Sequence, residues 1–145
     1  MRSTEYSWED HGFPLVSRFF NEAASLLDEK FDVTFSFTYR KVGKEEGVDT
    51  EPFRHAVWHY IQSIKGIRRD DYNYKEVNKI LTISFKTYIR MVACFPEQVC
   101  FNNFETRSEL GLEHSEMVHI NLIVLEARLQ AELLYALRAI MHHMK

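Results

Sequence analysis

Residues 115–144 read SEMVHINLIVLEARLQAELLYALRAIMHHM, a run of thirty positions without Gly or Pro. Ser115 is placed to cap it, so the run predicts one helix ending near Met144, about 45 Å long. Within it, residues 120–125 are apolar on several faces rather than along one stripe. That pattern belongs to a helix surrounded by others. A central helix of this length implies an all-α domain, and the rest of the chain agrees. Gly and Pro number only 5 and 3 in 145 residues, which leaves little punctuation.

Working back from the C-terminus, Asn73-Tyr-Lys-Glu76 resembles a capping box. It would open one helix with the stripe Val77, Ile80, Leu81, Ser84, Tyr88 and Val92, which Pro96 ends. Thr50 reads as an N-cap with Pro52 in the first turn. Phe53, Val57, Tyr60, Ile61 and Ile64 follow at helical spacing up to a stop at Gly66. A first helix is expected from about Asp10 or Pro14, with Leu15, Phe19, Ala23, Leu26 and Leu27 on one stripe. Phe31, Val33, Phe35 and Phe37 alternate with polar residues, the period of a strand. No second segment offers a partner, so helix is the preferred reading there.

A chain of this length buries close to 70% of its unfolded surface and forms about one domain, here residues 1–145. Aromatic residues make up 14%, which excludes a disordered chain. The formal charge of −3 excludes the basic field that nucleic acid or an anionic membrane requires. Unbroken apolar runs such as residues 122–125 fall far short of the roughly 18 residues of a membrane span. The N-terminus carries no apolar signal segment. Two cysteines in a chain that needs no staple point to free thiols in a reducing compartment. The expectation is a soluble intracellular domain.

Candidate chemistry is sparse. Cys94 and Cys100 flank Pro96 six residues apart, which is no Cys-x-x-Cys pair, and structural thiols are the preferred reading. Glu116 and His119 form one Glu-x-x-His, the spacing of di-iron bundles, but no second copy occurs. The structural alternatives are a first-turn acid complementing the helix dipole and an interior histidine satisfied by a polar neighbour. Arg54 sits in the first turn after Thr50, where free N–H groups and a guanidinium fork together make a carboxylate site. A solvated arginine is the simpler reading from spacing alone. Should Arg54 face Glu116 across a cleft, the pair would suit the zwitterionic end of an amino acid. Asp70 and Asp71 belong to a charged connector, either solvated or a docking patch.

Several segments together resemble the C-terminal half of the sestrins. They are Tyr-Ser-Trp-Glu-Asp-His-Gly from Tyr6, Asp-Glu-Lys-Phe from Asp28, Phe-Thr-Tyr from Phe37 and Val-Asp-Thr from Val48. Gly-Ile-Arg-Arg-Asp-Asp-Tyr from Gly66 and His-Ser-Glu-Met-Val-His-Ile-Asn-Leu from His114 follow. Glu-Ala-Arg-Leu-Gln-Ala-Glu-Leu-Leu-Tyr-Ala-Leu-Arg-Ala-Ile from Glu126 is the most specific. The resemblance implies an all-α bundle like the partner proteins of alkylhydroperoxide reductase. It implies a cytoplasmic and also nuclear stress-response domain without enzymatic activity or cofactor. The domain would sense free leucine or a similar branched amino acid and act on TOR signalling through the GATOR complex. The family's redox half precedes this one, and would be a partner in a full-length protein. Carried over by position, Arg54 would take the ligand carboxylate and Glu116 the ammonium. Thr38 and Tyr39 would form a lid, Thr50 would bond beneath it, His119 would line the cleft and Phe53 its apolar wall. Asp70 and Asp71 would hold the GATOR complex. Lys41 replaces a lid threonine, and an aromatic pair before His114 is missing, which alters the apolar part of the pocket. The rival reading is a ligand-blind interaction domain that keeps only the docking surface.

Overall fold

In the computed structural model, residues 1–36, 49–100 and 112–144 are described in full, and 41–42 and 45–46 by their backbone. A π-helical turn at Trp8–Gly12 leads into α1 (Phe13–Phe19) and α2 (Asn21–Phe35). The two-residue strands β1 (Lys41–Val42) and β2 (Glu45–Glu46) pair antiparallel. Then come α3 (Glu51–Ile64), α4 (Lys75–Ile80), α5 (Ile83–Cys94), a 3-10 turn at Pro96–Gln98 and the long α6 (His114–His143). The all-α expectation holds, and the alternating phenylalanine segment is helical as far as Phe35. No helix among the described residues is long and apolar enough to cross a membrane.

Three helix boundaries differ from the sequence reading, each for a local reason. The first helix breaks at Phe20, whose backbone (φ −142, ψ 77) leaves the helical region. The expected stripe does not run through the break: Leu15 and Ala24 are buried, while Phe19 and Leu26 are 57% and 66% exposed. The helix expected after Asn73 is two helices. The Thr82 hydroxyl accepts the Phe85 N–H at 3.2 Å and starts α5 afresh. Asn73 makes a turn instead of a capping box, its side-chain oxygen accepting the Lys75 N–H. The long helix is capped by Glu113, not Ser115. Glu113 and Glu116 exchange side-chain and backbone bonds in a reciprocal capping box. Thr50 stands at the N-cap position of α3 without a side-chain cap bond, and Asp49 accepts the Glu51 N–H.

Two apolar clusters form the core, and α6 runs through both. The larger joins Val57 and Ile61 of α3, Phe85, Tyr88 and Ile89 of α5, and Ile120, Ile123 and Val124 of α6. The smaller joins Tyr6, Trp8, Phe31 and Ile67 to Ala131 and Leu134. Trp58 packs against both. Each large side chain fully buried here stabilises by about 1.5–3 kcal/mol. Buried amides tie the layers together, since Gln62 donates to Gln130 Oε1 at 2.9 Å and to the Ala127 carbonyl at 3.3 Å. α6 is not covered all round: Val118, Leu122, Leu125 and Leu129 are exposed along one face. Gly66 ends α3 at φ 83, a conformation that favours glycine.

Candidate functional site

The last carbonyls of a helix have no partner within it. At the end of α2 two of them are met by side chains from distant elements. His119 Nε2 lies 3.0 Å from the Thr34 carbonyl oxygen, which can only accept, so that nitrogen carries the proton. Arg54 Nη1 donates to the Phe35 carbonyl at 2.6 Å. The same guanidinium donates through Nε to Thr50 Oγ1 at 3.1 Å and lies 5.1 Å from the Phe35 ring centroid. Arg54 is therefore half-buried and engaged rather than solvated. Burial pushes the His119 pKa down, and the nearby Arg54 charge adds to this, against the opposing bond to Thr34.

Glu116 is buried one helical turn before His119 and accepts the Glu113 N–H through Oε1 at 3.0 Å. Thr50, Arg54 and His119 thus meet at the end of α2, with Glu116 one turn away on α6. Phe53 is half-buried in the larger cluster, its ring 5.4 Å from Phe85. Thr38 and Tyr39 lie outside the described residues, as do Ser108, Glu109, Leu110 and Gly111. Among the described residues no three His, Cys, Asp or Glu are grouped to hold a metal ion. Cys94 is half-buried at the end of α5 and Cys100 is exposed.

The acidic pair lies on the connector between α3 and α4, and its two members face different partners. Asp70 pairs with Arg2 at 3.4 Å and accepts the Thr4 hydroxyl. Asp71 accepts the Arg69 Nε–H at 3.2 Å, and that bond holds its pKa below the usual carboxylate range. Both side chains remain largely exposed.

A cleft of about 600 Å³ opens between α2, α3 and the connector, with Phe35, Trp58, His59, Asp71 and Tyr72 among its walls. It takes in none of Thr50, Arg54, Glu116 or His119, although Phe35 serves both places. The sequence reading missed it. Its one local signal is His55-x-x-x-His59, a spacing that puts two rings on one helix face; they stack 5.6 Å apart. Burial, with the His55 and Arg69 charges, pushes the His59 pKa down to about 4, against the opposing Asp71 charge.

Residues 1–144 match the family model described as PA26 p53-induced protein (sestrin). Sestrin-2 of Bos taurus is 49% identical over 146 residues, covering 99% of this chain and 30% of that protein. Sestrin-1 of Macaca fascicularis and the sestrin homolog of Drosophila melanogaster are each 48% identical over 143 residues, covering 99% of this chain and 29% of theirs. The chain thus spans about 30% of the length of the curated relatives it matches. A match that runs through every described helix, at nearly half identity, settles the lineage: this chain belongs to the sestrin family.

Proposed function

We propose that this chain is one domain of a larger sestrin architecture and a non-enzymatic sensor of a free branched amino acid, leucine foremost. On this reading Arg54 takes the ligand carboxylate, Glu116 takes the ammonium, and His119 and Thr50 line the polar end. Thr38 and Tyr39 close over the ligand, and Phe53 contributes apolar wall. Ligand binding loosens the hold of Asp70 and Asp71 on the GATOR complex in the cytoplasm, which relays amino-acid supply to TOR signalling. The observation that carries the reading is the meeting of Arg54, Thr50 and His119 at the end of α2, with buried Glu116 one turn away. A guanidinium and a carboxylate withdrawn from water are what the two charges of an amino acid require.

The ligand-blind alternative draws on one observation of its own. Arg54 and His119 already satisfy the α2 carbonyls, so both have a structural task with no ligand bound. Calorimetry separates the two readings. Saturable heat with leucine, lost in Arg54→Ala and in Glu116→Gln while both variants stay folded, supports the sensor. No heat from the parent chain with leucine, isoleucine, valine or methionine supports the docking domain. Truncating either charge partner should cost roughly 2–5 kcal/mol of binding.

A further inference from the structure

We infer that the cleft between α2, α3 and the α3–α4 connector is a second ligand site, built for a small organic cation with N–H donors on a short apolar stem. Its walls carry five carboxylates, Glu9, Asp28, Asp32, Asp71 and Glu76, against one guanidinium, Arg69. That guanidinium is already shared by Asp71 at 3.2 Å and Glu9 at 3.7 Å. Glu76 pairs with Lys79. Asp28 and Asp32 differ. They stand one turn apart on α2, where like charges repel. Neither has a cationic partner among the described residues, and Asp28 accepts only the neutral Trp8 indole N–H at 3.0 Å.

The floor of the cleft supplies an independent sign. His59 is only 7% exposed, and its Nδ1 has no hydrogen-bond partner among the described residues. The Tyr72 hydroxyl, whose ring lies 4.1 Å from the His59 ring, is also buried without one. Buried polar atoms are normally paired, and two orphaned acceptors side by side in one cleft are places where a water or a ligand donor would bind. A neutral imidazole nitrogen and a phenol oxygen both accept, as do the two aspartates. The rings of Phe35 and Trp58 also line the cleft and suit an alkyl stem. The volume lies within the usual range for small-ligand sites. An anion would meet the unpaired carboxylates of Asp28 and Asp32 along the α2 wall. A cation carrying N–H groups, an alkylammonium or an alkylguanidinium, meets acceptors instead.

The chain's two tryptophans, Trp8 and Trp58, both line this cleft, so intrinsic fluorescence reports on it directly. Agmatine and n-butylammonium are titrated against the whole chain, with n-butanol as the neutral control. Tetramethylammonium is the control for a cation without N–H donors. Saturable changes are expected with the two amines in the range of about 0.1–10 mM, and none with the controls. Asp32→Asn, on an exposed helix face, should weaken agmatine by about tenfold. His59→Phe should weaken it too, and Glu22→Gln, an exposed carboxylate on α2 outside the cleft, should leave it unchanged. Absence of a saturable response to the amines overturns the inference. So does an equal response to either control, an Asp32→Asn affinity equal to the parent's, or an equal weakening in Glu22→Gln.

Discussion

His59 makes the chain sensitive to mild acid, by an amount that can be worked out. Its pKa falls from the ordinary 6.5 to about 4 in the folded state, chiefly through burial. The groups around it are His55 on its own helix and Arg69, Asp71, Tyr72 and Tyr74 on the connector, with Asp28 and Asp32 across the cleft. Above both values the ring is neutral in either state and adds nothing to the pH dependence. Between them the unfolded chain binds the proton and the folded chain does not, so acid favours unfolding. The stability lost in this way is about 2 kcal/mol at pH 5 and roughly 3 kcal/mol once pH falls below both values. His119, whose pKa is also lowered by burial, acts with the same sign. Comparison with His59→Phe therefore isolates the one residue. Urea unfolding at pH 7.5 and pH 5 is the assay. The parent should lose about 2 kcal/mol more than His59→Phe does between the two conditions. Parallel losses would refute the reasoning, as would an NMR titration of His59 with its midpoint near 6.5.

Gly66→Ala should destabilise by about 1–2 kcal/mol in thermal melting, because φ is 83 and the new Cβ would lie 2.6 Å from the Tyr135 hydroxyl oxygen. That oxygen now donates its proton to the Lys65 carbonyl, so Tyr135→Phe in the same chain should recover part of the loss. Asp70→Ala with Asp71→Ala should leave the melting temperature unchanged within error, since both side chains are largely exposed. The same pair in a full-length sestrin should reduce recovery of GATOR components in a pull-down, and equal recovery would count against these residues as the docking pair.

What the sequence made legible tracks the range over which each signal acts. The stripe of α3 and the length of α6 follow from local periodicity, and both helices form where the spacing places them. The breaks at Phe20 and before Thr82 were lost because apolar spacing runs on across them. The second break is set by one hydroxyl and one N–H, of Thr82 and Phe85, which periodicity does not register. Arg54 was identifiable from its place in a first turn, but not its partner. The Phe35 carbonyl lies 19 residues away, and the Thr34 carbonyl that meets His119 lies 85 away. Only the packing of α2 against α3 and α6 brings them together. The cleft at His59 was missed for the same reason, since its acids and rings come from the N-terminal turn, α2, α3 and the connector.

The engagement of Arg54 with α2 also constrains how a ligand could bind there. A guanidinium carries five N–H groups, and two of Arg54's are used, one on Nε by Thr50 and one on Nη1 by Phe35. Among the described residues that leaves one on Nη1 and two on Nη2. One hydrogen from each terminal nitrogen is what a bidentate carboxylate needs. A ligand carboxylate can therefore dock end-on while the Phe35 carbonyl keeps its bond, and the last turn of α2 would be pinned more firmly rather than released. The Ser36 N–H, bonded to the Asp32 carbonyl at 2.9 Å in that turn, is the reporter. With saturating leucine its hydrogen exchange should slow in the parent chain and stay unchanged in Arg54→Ala. Faster exchange with leucine would mean that the carboxylate displaces the Phe35 carbonyl instead of joining it.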